Sequence, residues 1–182
     1  MDTGFLSPGT MANDSSVGTN GTPAWANPDN AKSSNDVYAV VTENTTGGTT
    51  NYLKATNFGA AVPAGNNITG VEVVIERKRT SIGTSCLDSE VKLVKADASI
   101  GSTNKADTVT AWPTSDGEKT YGGDGDKWGE SLGVSDVNDV DFGVVINVST
   151  LPTYPPITIS IDNIKIKIYY TAILPALSSF IM

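Results

Sequence analysis

Histidine is absent from this 182-residue chain. That removes Ser-His-Asp and Cys-His nucleophile pairs and the usual catalytic zinc sites, since each needs an imidazole as base or ligand. Cysteine occurs once, as Cys86, so no intrachain disulfide can form and the fold does not lean on an oxidising compartment. With no histidine to activate it, Cys86 is not read as a reactive thiol. Positive charge is also scarce: 12 Lys and Arg face 20 Asp and Glu, for a net charge of −8. A nucleic-acid partner needs a basic footprint, so that class is set aside. The only concentrated basic run, Arg77-Lys78-Arg79, is expected to be a solvated strand end. The longest apolar patch, near Ile173 to Met182, is broken by Pro175 and Ser178-Ser179 and falls short of the ~20 residues of a membrane helix. Residues 1–20 lack a basic start and an apolar run, so no signal peptide is expected. No phosphate-cradling glycine loop is present, and no window sustains helical periodicity over three turns.

What the chain does have is alternation. In Ile68 to Lys78, Val71, Val73 and Ile75 share one parity while Glu72, Glu76 and Lys78 share the other. A period of two marks a strand with one buried and one wet face. Tyr52 to Phe58 precedes it across a turn built from Pro63, Gly65, Asn66 and Asn67. Further strands are expected at Asp36 to Thr42, Asp88 to Ala96, Phe142 to Ser149 and Ile157 to Thr171. In the last, Ile157, Ile159 and Ile161 share a parity that flips at Asp162-Asn163, as a β-bulge or a bend between sheets would produce. About seven or eight strands suffice for two packed sheets. The fold class is therefore all-β: an antiparallel, jelly-roll-like β-sandwich over 36–171, with an irregular N-terminal arm over 1–35 and a short apolar C-terminal tail over 172–182.

Several short motifs occur in a fixed order. They are Phe58-Gly59, Pro63, Ile68-Thr69-Gly70, Asp88 to Val91, Trp112-Pro113, Tyr121-Gly122-Gly123, Trp128-Gly129, Phe142-Gly143 and Ile161 to Thr171. In this order they resemble a family of virion-associated β-sandwich proteins of tailed phages and prophages. The resemblance implies a role in a virion rather than an activity. Ser7-Pro8-Gly9-Thr10 and Trp25-Ala26-Asn27-Pro28 match the same family, which implies an ordered arm with Trp25 as its anchor.

No catalytic, cofactor-binding or metal-binding residue is nominated, and the chain is not expected to be an enzyme. Two acidic clusters, Asp124-Gly125-Asp126 and Asp136 to Asp141, lack the glycine and terminal glutamate of a calcium loop and read as turns. Residues 97–135 form a long aromatic-bearing section, which either packs over an open sandwich edge or builds an interface. Interface candidates are Trp25, Trp112, Tyr121 and Trp128, with Leu177, Phe180 and Ile181 in the tail. The leading expectation is a capsid decoration (cement) protein on the virion surface. It would bind the major capsid protein or another virion protein as a homo-oligomer, a trimer, with no membrane partner. Single-domain length and irregular ends favour it. The alternatives are a tail, fibre or adaptor component, or a sugar-binding module stacking exposed aromatics on its ligand.

Overall fold

The computed structural model describes residues 1–16, 23–43, 47–80, 86–151 and 156–172. Two antiparallel sheets pack face to face, as the alternating sequence requires. The first has the order β2 (Ala39–Glu43), β9 (Ile157–Ala172), β5 (Asn66–Arg79), β7 (Gly117–Gly123). The second has the order β1 (Thr10–Asp14), β4 (Tyr52–Thr56), β8 (Gly143–Thr150), with β3 (Gly48–Thr49) and β6 (Cys86–Val94) also paired to β8. The pairs β2–β9 and β4–β8 join strands far apart in sequence, which nests one hairpin-like path inside another as in a jelly roll.

The core follows parity. Val71, Val73 and Ile75 of β5, Val91 and Leu93 of β6, Val144, Ile146 and Val148 of β8, and Ile164, Ile166 and Ile168 of β9 are all buried. Burying each such side chain contributes about 1.5–3 kcal/mol. Gly143 lets β8 approach β4 closely, because a Cβ there would lie 1.9 Å from the Ala55 carbonyl oxygen.

The parity flip in the last strand is a bulge. Glu76 pairs with Asn163 and Arg77 with Ile161, leaving Asp162 as the extra residue. β9 stays in one sheet throughout. The strand that changes sheets lies instead in the arm, which is less irregular than its composition suggests. Leu6 exchanges backbone bonds with Ile166 of the first sheet at 2.8 and 3.0 Å, and four residues later Thr10 pairs with Thr56 of the second. Asp36 to Thr42 starts late as a strand: Ala39 and Val41 are buried, but Val37 is 50% exposed and precedes β2. The aperiodic section 97–135 holds β7 and the first half of the four-residue helix α1 (Val134–Val137). β7 reads GEKTYGG and carries one apolar side chain, so only its pairing to β5 makes it a strand. The tail candidates Leu177, Phe180 and Ile181 lie outside the described residues.

Candidate functional site

The residues singled out by sequence gather first in a buried polar cluster between the sheets. Arg77 continues the inward parity of β5, and Asp88 sits on β6 beside a second register shift. The Asp88 carboxylate accepts from the Arg77 guanidinium, from Trp112 Nε1 (2.7 Å), from the Tyr121 hydroxyl (2.8 Å) and from the backbone N–H of Asp107 (2.9 Å). The guanidinium also lies 4.6 Å from the centre of the Trp112 ring. Arg79 donates from Nε to the Trp112 carbonyl at 2.7 Å. The solvated basic run expected at 77–79 is thus corrected. Arg77 and Arg79 are 3% and 9% exposed, and only Lys78 points outward, onto Tyr38 and Asp116. The reason is strand period: residues 77 and 79 share the face of Val73 and Ile75, and Asp88 neutralises the Arg77 charge that this brings inside. Burial, and then the Asp88 charge, holds the Tyr121 hydroxyl far above the ordinary tyrosine range, against the opposing pull of Arg77. The cluster fastens the segment carrying Asp107, Trp112 and Tyr121 to the sandwich, and its side chains lie away from solvent.

The aromatic candidates share that fate. Trp25, Trp112, Tyr121 and Trp128 are between 1% and 4% exposed and belong to the main core. Trp25 donates to the Asn51 carbonyl and Trp128 to the Val71 carbonyl, each at 2.9 Å. Gly122, with φ +70°, makes room for Trp128: a Cβ there would sit 2.4 Å from the indole nitrogen. Buried indoles need such N–H partners, and these four rings anchor their loops to their own chain. Stacking of exposed rings on sugar is therefore overturned for them. The acidic clusters bond their own loops. Asp126 accepts from the Trp128 N–H and pairs with Lys105, while Asp136 accepts from the Gly133 N–H. Asn138 exchanges bonds with the backbone of Val62. Among the described residues no group of three or more potential ligands is placed to hold a metal ion.

Sequence reasoning missed two surface features. The first is a groove of about 420 Å³ on the solvent face of the second sheet. Thr10, Ala12 and Asp14 of β1 and Lys54 and Thr56 of β4 line it, with Asn13 and Ser15 beside them and Asp141 from the turn before β8. The register sets Thr10 opposite Thr56 and Ala12 opposite Lys54, so these outward side chains form one patch. Lys54 Nζ lies 3.8 Å from Asp14, an ion pair too long for a hydrogen bond. Burial pushes the Asp14 pKa up, but bonds from Ser16 and the Lys54 charge outweigh it and leave the carboxyl below its ordinary value. Among the described residues the Asp141 carboxylate has no hydrogen-bond or ion-pair partner.

The second feature is an open sheet edge. Val71 N–H bonds Asp126 and Arg79 N–H bonds Pro113, so the odd residues of β5 point their backbone groups toward β7. Their partners there are Gly117, Lys119 and Tyr121, which turns the N–H and C=O of Glu118 and Thr120 away from the sheet. Both residues are exposed, and those groups have no partner among the described residues. The edge of β6, by contrast, is covered by Gly101, Lys105 and Trp112, which donate to Leu93, Val91 and Cys86. The edge of β2 is closed by Ala26, which exchanges bonds with Val40, and β9 beyond it is closed by the arm.

No family model matches the chain, and no curated protein is significantly similar to it.

Proposed function

We propose that the chain is a structural protein of a tailed-phage virion, specifically a capsid decoration protein that reinforces the shell through subunit contacts. The open edge of β7 carries this reading. Among the described residues the β2, β6 and β9 edges are closed by the chain itself, while β7 presents a row of exposed backbone donors and acceptors to which a strand can be added. The partner at that edge is an extended segment of the major capsid protein or of another virion protein. The ordered motifs that resemble virion β-sandwich proteins support the same class, as does an interior in which Asp88, Arg77 and Tyr121 are closed off from any substrate.

The experiment is a binding assay on shells of the phage or prophage that encodes the chain, with electron microscopy of the decorated particles. Thr120→Pro is the informative variant. The Thr120 N–H points away from β5, so proline there removes no ladder bond but blocks an incoming strand. Shell binding is expected to be lost while the melting temperature holds. Particles bearing the chain on the tail would replace decoration with the fibre or adaptor reading. Unimpaired binding by Thr120→Pro would remove β7 as the attachment edge.

A further inference from the structure

We infer that the groove over β1 and β4 is a saccharide-binding site, separate from β7 and from the buried aromatics. The lining decides the ligand class by elimination. Two carboxylates, Asp14 and Asp141, stand against one ammonium, Lys54, so the groove repels phosphate and other anions. A purely apolar ligand would cover the carbon surface of Ala12, the threonines and the Lys54 stem but would strip water from Asp14, Lys54 and Asp141. A bare cation would need several oxygens converging on one point, and no such group occurs among the described residues. An added peptide strand would pair along the outer edge of β1, whereas the groove is lined by side chains that β1 and β4 present from the sheet face.

A sugar ring satisfies all of these terms. Its hydroxyls donate to Asp14 and Asp141 and accept from Lys54, whose ammonium is held near Asp14 without a hydrogen bond to it. The Thr10 and Thr56 hydroxyls stand opposite each other at the end of the strand pair toward Asp141 and add a donor and an acceptor each. The apolar face of the ring covers Ala12 and the aliphatic stem of Lys54. A volume of about 420 Å³ lies in the range of small-ligand clefts and suits a mono- or disaccharide.

The test uses the isotope-labelled full chain, followed by amide NMR, titrated with maltose, lactose and diacetylchitobiose and preceded by a glycan array. At least one saccharide is expected to shift the amides of Ala12, Lys54 and Asp141 saturably. Asp141→Asn and Lys54→Met should each weaken that binding about 10-fold or more. Asp141 is exposed, so the melting temperature of Asp141→Asn should hold, while Lys54→Met should lose only the small contribution of its pair with Asp14. The inference fails if no saccharide moves these amides, if the shifts map elsewhere, or if both variants bind like the parent. It is independent of shell attachment: Thr120→Pro should leave saccharide binding intact, and loss of binding in that variant would also overturn the separation of the two surfaces.

Discussion

Arg77 and Asp88 show how one residue's parity fixes its chemistry. Arg77 must point inward with Val73 and Ile75, and a buried guanidinium is tolerable only because Asp88 answers it. Asp88→Asn removes that charge while keeping the shape, leaving a cation stranded in the core. A loss of about 3–5 kcal/mol is expected from urea denaturation. The double change Arg77→Met, Asp88→Leu should remove the stranded charge but not restore the parent's stability, because Trp112 Nε1, the Tyr121 hydroxyl and the Asp107 N–H lose their acceptor at about 1–3 kcal/mol each. Equal midpoints for Asp88→Asn and the parent would show that the pair is not buried. The tyrosines set the alkaline limit. Burial is the first cause raising both Tyr52 and Tyr121 above the ordinary value of 10.0, with Glu90 adding to it at Tyr52 and Asp88 at Tyr121. A pKa raised in the folded state gives stability that is fully present below the unfolded value and lost as pH rises toward the folded one. Stability should therefore hold to about pH 10 and fall above it, with phenolate absorbance from these two residues rising only on unfolding. Phenolate signal from a fully folded chain at that pH would contradict the burial. On the acid side the sign reverses. Burial raises the carboxyls of Asp14, Glu90 and Asp126, but hydrogen bonds and the lysines at positions 54, 92 and 105 lower them further. Their contribution is present above the ordinary carboxyl values of about 4 and lost as pH falls through the lower folded ones.

At the scale of elements, the arm does what neither sheet does alone. Residues 1–6 lie along β9, and β1 lies along β4, so one short segment ties the two layers together. Thr3, Leu6 and Met1 contribute backbone bonds to Ile168, Ile166 and Tyr170. Removing residues 1–9 leaves those positions of β9 as a bare edge. Stability should fall by roughly 0.5–1.5 kcal/mol for each bond lost, and the truncated protein should aggregate more readily. A urea midpoint equal to that of the full chain would show that the arm is only draped over the sandwich. β7 is the complementary case, a strand whose existence depends on its neighbour. Its own residues carry glycine and charge, and β5 supplies the template.

For the whole molecule, the proposed decoration role carries an expectation of closed symmetry. Homo-oligomers close on themselves, and the proposed trimer presents three β7 edges to a shell at a point of local three-fold symmetry. Sedimentation equilibrium of the free protein and particle maps of the decorated shell check it together. Isolated single copies on the particle would sink the trimer while leaving the attachment edge in place. The net charge of −8 opposes non-specific self-association.

The sequence by itself determined the all-β class, the parity that selects Val71, Val73 and Ile75 for the core, and the parity flip at Asp162-Asn163, though not that the flip is a bulge rather than a bend between sheets. Each of these is a local consequence of strand period, which a single segment carries within itself. It also marked Trp25 as an anchor, through a resemblance rather than through physics. Tertiary structure alone decided the rest. Whether Arg77 meets water or a carboxylate depends on Asp88, which reaches it from another sheet, and Arg79 is held by the Trp112 carbonyl. Whether Trp112, Tyr121 and Trp128 face a partner or the core depends on where a long connection folds back. The groove at Lys54 and the open edge at Thr120 arise from register between strands distant in sequence. Alternation along one strand records which face is buried, but not which strand will lie beside it, and both surfaces are made by that pairing.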